Sequence, residues 1–170
     1  MTTDVHPTEL ARLTALRTAY AGLAPRVAAG EPWPLATDYG DSPEASWGPR
    51  EVLAHLVEML PFWLGELERV VDGDGLTPVP FGRSGDDPSR IGLIGRERTL
   101  PLRVLFGRID TGLVAWIERL ATLTDADLAK VGLHPREGGI PVWRFPARFI
   151  TDHAEGHVSQ LETILADAGR

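Results

Sequence analysis

The chain has no cysteine. Disulfides, thiolate nucleophiles and sulfur ligands are thereby excluded, so any metal must be held by nitrogen and oxygen. It also has no basic patch. The net charge is −7 and Lys and Arg gather nowhere along the chain, so a phosphate backbone would be repelled and nucleic acid is not an expected partner. No apolar run is long enough to span a bilayer. Met1 to Pro7 carries neither the basic nor the apolar segment of a secretory leader. The expectation is a cytoplasmic protein without a membrane partner. Period-two alternation of apolar and polar residues is missing too, and no strand is expected.

What the chain does have is helical periodicity. Its 170 residues suffice for one domain with its own core, and residues 1–170 are read as one. The first helix is expected from about Pro7 to Ala29, with Leu10, Leu13, Leu16, Tyr20, Leu23 and Val27 on one face and Gly30-Glu31-Pro32 as its stop. The second opens at Gly48-Pro49 and continues to about Val71, carrying a kink at Pro61. A third runs from about Thr99 to Leu123, with Leu102, Leu105, Phe106, Ile109, Leu113, Trp116, Ile117 and Leu120 at helical spacing. The fourth begins near Val142 or Trp143 and ends at Ala168. Between the second and third, residues 73–97 are rich in Gly and Pro, which predicts an irregular crossover or a flap over a site. Leu128 to Val142 reads as turns. The fold class is therefore all-α, a four-helix bundle.

Two histidines on the fourth helix, His153 and His157, are four residues apart. That spacing stacks them on one face, roughly 6 Å apart along the axis. They fall inside the apolar arc of Phe149, Ile150, Leu161 and Ile164, with Gln160 on the same strip. Arg148, Thr151, Asp152, Glu155, Ser159 and Glu162 form the solvated face. Charged imidazoles in a core would be costly, so both must be neutral and satisfied. They satisfy each other and the backbone, or they hold a divalent cation, which needs neutral imidazoles with exposed lone pairs. His55, at the edge of the second helix's apolar arc, would supply a third nitrogen. Beside it runs an acidic strip, Glu51, Glu58 and Glu66, which base rates assign to solvent before catalysis. His6 belongs to the surface near the terminus, and His134, before a proline in a turn, to structure. Both are left out of the metal site.

Three segments resemble a known family. Trp47-Gly-Pro-Arg-Glu-Val-Leu-Ala-His55-Leu56 is similar to the first histidine motif of the DinB-like, or YfiT-like, superfamily. Gly132-Leu-His134-Pro with Gly139 is similar to a turn common there, and Asp152-His153-Ala-Glu-Gly-His157-Val-Ser-Gln160 resembles its H-x-x-x-H-x-x-Q signature. The resemblance implies a bundle of up-down-down-up order, a zinc or nickel ion on His55, His153 and His157, and a homodimer. It also implies a transferase that adds a low-molecular-weight thiol (mycothiol, bacillithiol or glutathione) to a small electrophile. Relatives described as metal-dependent hydrolases make hydrolysis by metal-bound water the alternative. A non-enzymatic metal-stabilised dimer or ligand-binding bundle is the third reading. No H-E-x-x-H is present, which disfavours peptide hydrolysis. Glu58, Glu66 and Gln160 are the candidate partners of the ligands or of substrate, and Glu51 belongs to the same strip. Trp63 and Trp143 are the candidate pocket walls.

Overall fold

Leu13, Leu16, Tyr20, Leu23 and Val27 recur every three or four residues and all are buried, and this stripe makes α1 (Val5–Ala29). In a computed structural model of the chain, residues 5–37, 39–40 and 44–169 are described, without the side chains of Val5 and His6. The side chain of His6, expected at the surface, lies outside that set. α1 stops at Gly30, where the Trp33 ring folds back so closely that a Cβ would lie 2.2 Å from it. Trp33 Nε1 donates to the Val27 carbonyl at 2.8 Å, satisfying a helix end that has no further turn.

Extended Gly48 and Pro49 in the first turn start α2 (Pro49–Val71), which continues through Pro61. The crossover is not irregular throughout, contrary to the expectation for residues 73–97. It contains α3 (Pro88–Glu97), because Asp87 caps Ser89 and Arg90 while Pro88 occupies the first turn. Ile94 anchors it in the core, and Gly95 is required because a Cβ there would lie 2.1 Å from the Tyr39 hydroxyl. α4 (Leu102–Leu120) begins after Pro101, three residues later than expected from Thr99.

The absence of strands is a second expectation that fails. After α5 (Asp125–Ala129), β2 (Val131–His134) pairs antiparallel with β3 (Gly138–Pro141), and β1 (Val79–Pro80) adds parallel to β2. These segments are too short for alternation to register in the sequence. Their ladder clamps the crossover and the His134 turn to one end of α2.

The last helix is interrupted near its start. Val142–Arg144 forms a tight turn, Pro146–Thr151 a wide π-helical one, and α6 (Asp152–Ala168) follows. The wide turn changes the helical phase, so Thr151, expected on the solvated face, is fully buried. Its hydroxyl donates to Glu9 at 2.6 Å.

α1 and α2 each pack against both α4 and α6. Along α1 and its neighbour, Glu9 meets Thr151, Arg12 meets Asp152 and Glu155, and Arg26 meets Glu162. From α2 to the third long helix, Arg50 donates to the carbonyl of Leu100, Trp116 to that of Leu60, and Arg119 to Glu68. The surface ion pairs among these set register more than they add stability, because solvent screens them. Burial of large side chains such as Trp116, Leu53, Leu56 and Leu105 carries the stability, at about 1.5–3 kcal/mol each. Among the described residues, no helix is long and apolar enough to cross a membrane.

Candidate metal centre

His55 comes from α2, where Leu53, Leu56 and Leu60 turn one face inward and carry the imidazole with it. His153 and His157 come from α6. The i,i+4 spacing stacks their rings with centroids 4.6 Å apart, and His55 lies across both at 5.1 and 5.3 Å. His55 was expected half in the core. It is buried outright, its ring packed edge-on against Trp47.

All three rings present Nε2 to one point. The Nε2 atoms of His55 and His153 are 2.8 Å apart, and those of His157 and His153 3.1 Å. A fourth donor was not foreseen. Glu44, on the short turn Glu44–Ser46, brings Oε2 to 3.3 Å from His153 and 3.8 Å from His157, and Oε1 to 3.8 Å from His55. One ligand atom from each of the four residues lies within 4.8 Å of every other. A three-residue turn has no periodicity to mark it, and Glu44 is eleven residues from His55, so nothing local in the sequence points to it.

The hydrogen bonding behind His157 fixes which of its nitrogens carries the proton. Gln160 Nε2 donates to the carbonyl oxygens of Glu44 and Trp47 at 2.8 and 3.3 Å, which turns its Oε1 toward His157 Nδ1 at 2.9 Å. His157 therefore donates from Nδ1 and keeps a bare lone pair on Nε2. Behind His55, Glu58 Oε2 lies 3.8 Å from Nδ1 and has no hydrogen-bond partner of its own. The Arg90 guanidinium, 3.4 Å from the same Nδ1, donates to it, so Nδ1 of His55 acts as an acceptor.

Burial pushes all three imidazoles toward the neutral form: His55 well below the usual range, His153 down to about 4, and His157 down as well. The Glu44 carboxyl is lowered. Burial alone would raise it, but the facing imidazoles and the Arg90 guanidinium bonded to Oε1 more than offset that. Glu58 is raised by burial, against the opposing pull of Arg83.

Neutral rings with Nε2 atoms 2.8–3.1 Å apart cannot all satisfy one another, since at most one proton fits between each pair. A shared cation resolves this, and nitrogen and carboxylate donors suit a divalent ion such as zinc. The cluster could bind a divalent metal.

The other expected residues divide. Trp63 lines a cleft of about 240 Å³ beside His55 and His153, stacked on Phe149 at 4.3 Å. Trp143 is not among the residues lining that cleft and packs, half-buried, against the core. The acidic strip is not solvated. Glu51 is bonded to Arg98, Glu58 to Arg83, and Glu66 to the Gly82 amide and Arg69. These partners, from the loops and from the helix itself, take the carboxylates out of water. Of the strip, only Glu58 reaches a histidine of the cluster; Glu51 and Glu66 hold loops in place. His134 is not one of the four clustered residues, but it lines the same cleft.

The chain matches the model of the DinB superfamily over residues 9–161. Comparison with curated proteins and with solved structures gave no match. The matched span contains α2, the Glu44 turn and all three clustered histidines, and on that basis the chain belongs to the DinB superfamily.

Proposed function

We propose that the protein is a metal-dependent transferase that joins an external low-molecular-weight thiol to a small electrophile, with His55, His153 and His157 as the ligands of a zinc or nickel ion. The observation that carries this reading is that two clefts meet at the cluster. One is the 240 Å³ cleft over Trp63, and the other is an open groove along α6 past His157, Gln160 and Thr163. Glu44 and His153 belong to both. A two-substrate reaction needs two approaches to one centre, whereas hydrolysis needs one.

The ion, when bound, supplies positive charge that favours the thiolate form of an incoming thiol. The chain's own part is proton handling and orientation. Glu44 Oε2 faces the reaction point and Oε1 is held by Arg90, so the carboxylate is ionised and aimed to take the thiol proton. Gln160 orients His157, and Arg90 donates to Nδ1 of His55. The absence of cysteine means that the sulfur nucleophile comes from outside.

The zinc- or nickel-loaded protein should conjugate monochlorobimane with at least one of mycothiol, bacillithiol and glutathione, releasing chloride. A rate no greater than that of the metal-free protein with all three thiols would remove the reading. Ester cleavage without thiol would instead favour the hydrolase. Glu44→Gln, which keeps the shape but not the base, should retain the metal and lower the transfer rate about a hundredfold. Loss of the metal together with the rate would make Glu44 a ligand rather than a base.

The helix order belongs to the same proposal. Contacts between α1 and α6 rise together in number, as do those between α2 and α4. Those between α2 and α6 run oppositely, Trp47 reaching Gln160 and Trp63 reaching Phe149. These registers support up-down-down-up.

A further inference from the structure

The cleft over Trp63 contains four guanidinium groups, from Arg83, Arg90, Arg136 and Arg148, in a chain whose net charge is −7. Three of them are committed. Arg83 is bonded to Glu58 and lies 3.7 Å from the Phe62 ring centroid. Arg90 is bonded to Glu44 and to the Gly85 carbonyl. Arg148 is bonded to Glu137 through both Nε and a terminal nitrogen. Arg136 contacts no carboxylate among the described residues, although the exposed Asp86 senses its charge. The cleft thus keeps one surplus positive charge even before an ion is counted.

Arg136 is not a loose surface side chain on a free loop. It occupies the turn between β2 and β3, and the backbone N–H groups of Arg136 and Glu137 reach His134 Nδ1 at 3.4 and 3.3 Å. The His134 ring is buried among Trp63, Phe81 and Phe149. A buried imidazole therefore ties the arginine's turn to the rim. With Nδ1 accepting, the ring proton is on Nε2, making His134 a neutral donor in an otherwise apolar wall. The rest of that wall is flat: Trp63 and Phe149 stack with planes 19° apart.

We propose that this cleft is the subsite for a small planar carboxylate, with Arg136 pairing its acid group and Trp63 bounding its ring. The inference rests on the transferase reading, since it names the electrophile's class as an unsaturated or aromatic acid. A volume of about 240 Å³ accommodates one ring and its acid group. A carboxylate on Arg136 forms a charge-assisted pair, the contact a guanidinium fork favours.

Benzoate and its uncharged analogue benzamide separate the idea from its rivals, measured by ligand-observed NMR on the zinc-loaded protein and on metal-free His153→Ala. Benzoate should bind about fivefold more tightly than benzamide in both proteins. Arg136→Ala should abolish the difference, and Arg136→Lys should keep part of it. Equal binding of the two probes, or a preference untouched by Arg136→Ala, overturns the proposal. So does a preference present only with zinc, which would place the acid on the ion. A failed thiol-transfer assay with the benzoate preference intact would remove the reaction and leave the subsite.

Discussion

His153→Ala should bind zinc about a thousandfold more weakly than the native chain. Loss of a group that merely orients a ligand costs about ten- to a hundredfold in affinity, and removal of a ligand itself exceeds that. His153 is the best of the three to test, because its side chain is 38% exposed while those of His55 and His157 are buried. Truncation there leaves no large cavity, so weaker binding cannot be blamed on a collapsed core. Competition against a chromophoric chelator reads the affinity, and zinc content after gel filtration reads the stoichiometry. Zinc should also raise thermal stability by mass action. At a free concentration about a thousand times the dissociation constant, the native protein gains about 4 kcal/mol, while the variant at the same concentration gains well under 1 kcal/mol. Unchanged affinity in the variant would mean that the histidines are packed without sharing an ion.

Trp116→Ala should cost about 3–5 kcal/mol of folding stability. Trp116 is fully buried between α4 and α2, and its Nε1 donates to the Leu60 carbonyl at 2.9 Å. Truncation removes the largest wholly buried side chain and leaves a void where Gly112 already brings the helix backbones close to Leu60. For a chain of this size each kcal/mol corresponds to about 2–4 °C, so melting should fall by about 6–20 °C. Arg26→Ala, which removes an exposed pair with Glu162 that solvent screens, should leave stability nearly unchanged. Comparable losses in the two variants, by urea denaturation, would show that packing between α2 and α4 is not where the stability lies.

Much of the scaffold is legible from the sequence. The apolar stripes of α1, α2 and α4 appear at helical spacing, Gly30 and Pro49 mark real ends, and His153 and His157 share a helical face. Each of these is a property of neighbours three or four residues apart, where backbone geometry leaves little freedom. α3 was hidden because two glycines and a proline obscure a helix that Asp87 caps and Ile94 anchors. Thr151 was misplaced because a π-helical turn breaks the periodicity on which a helical wheel depends.

What the sequence by itself determined is the set of long helices, the exclusion of sulfur chemistry, and the inward face shared by His153 and His157. Only the tertiary structure decided the rest of the centre: Glu44 beside the rings, Gln160 and Glu58 behind them, and the arginines around the cleft. It also decided that the acidic strip of α2 is buried, since Arg83 and Arg98 arrive from the crossover far along the chain. The division has one physical reason. Helices follow from local periodicity, whereas the charge state and orientation of a buried group depend on partners that only long-range packing can deliver.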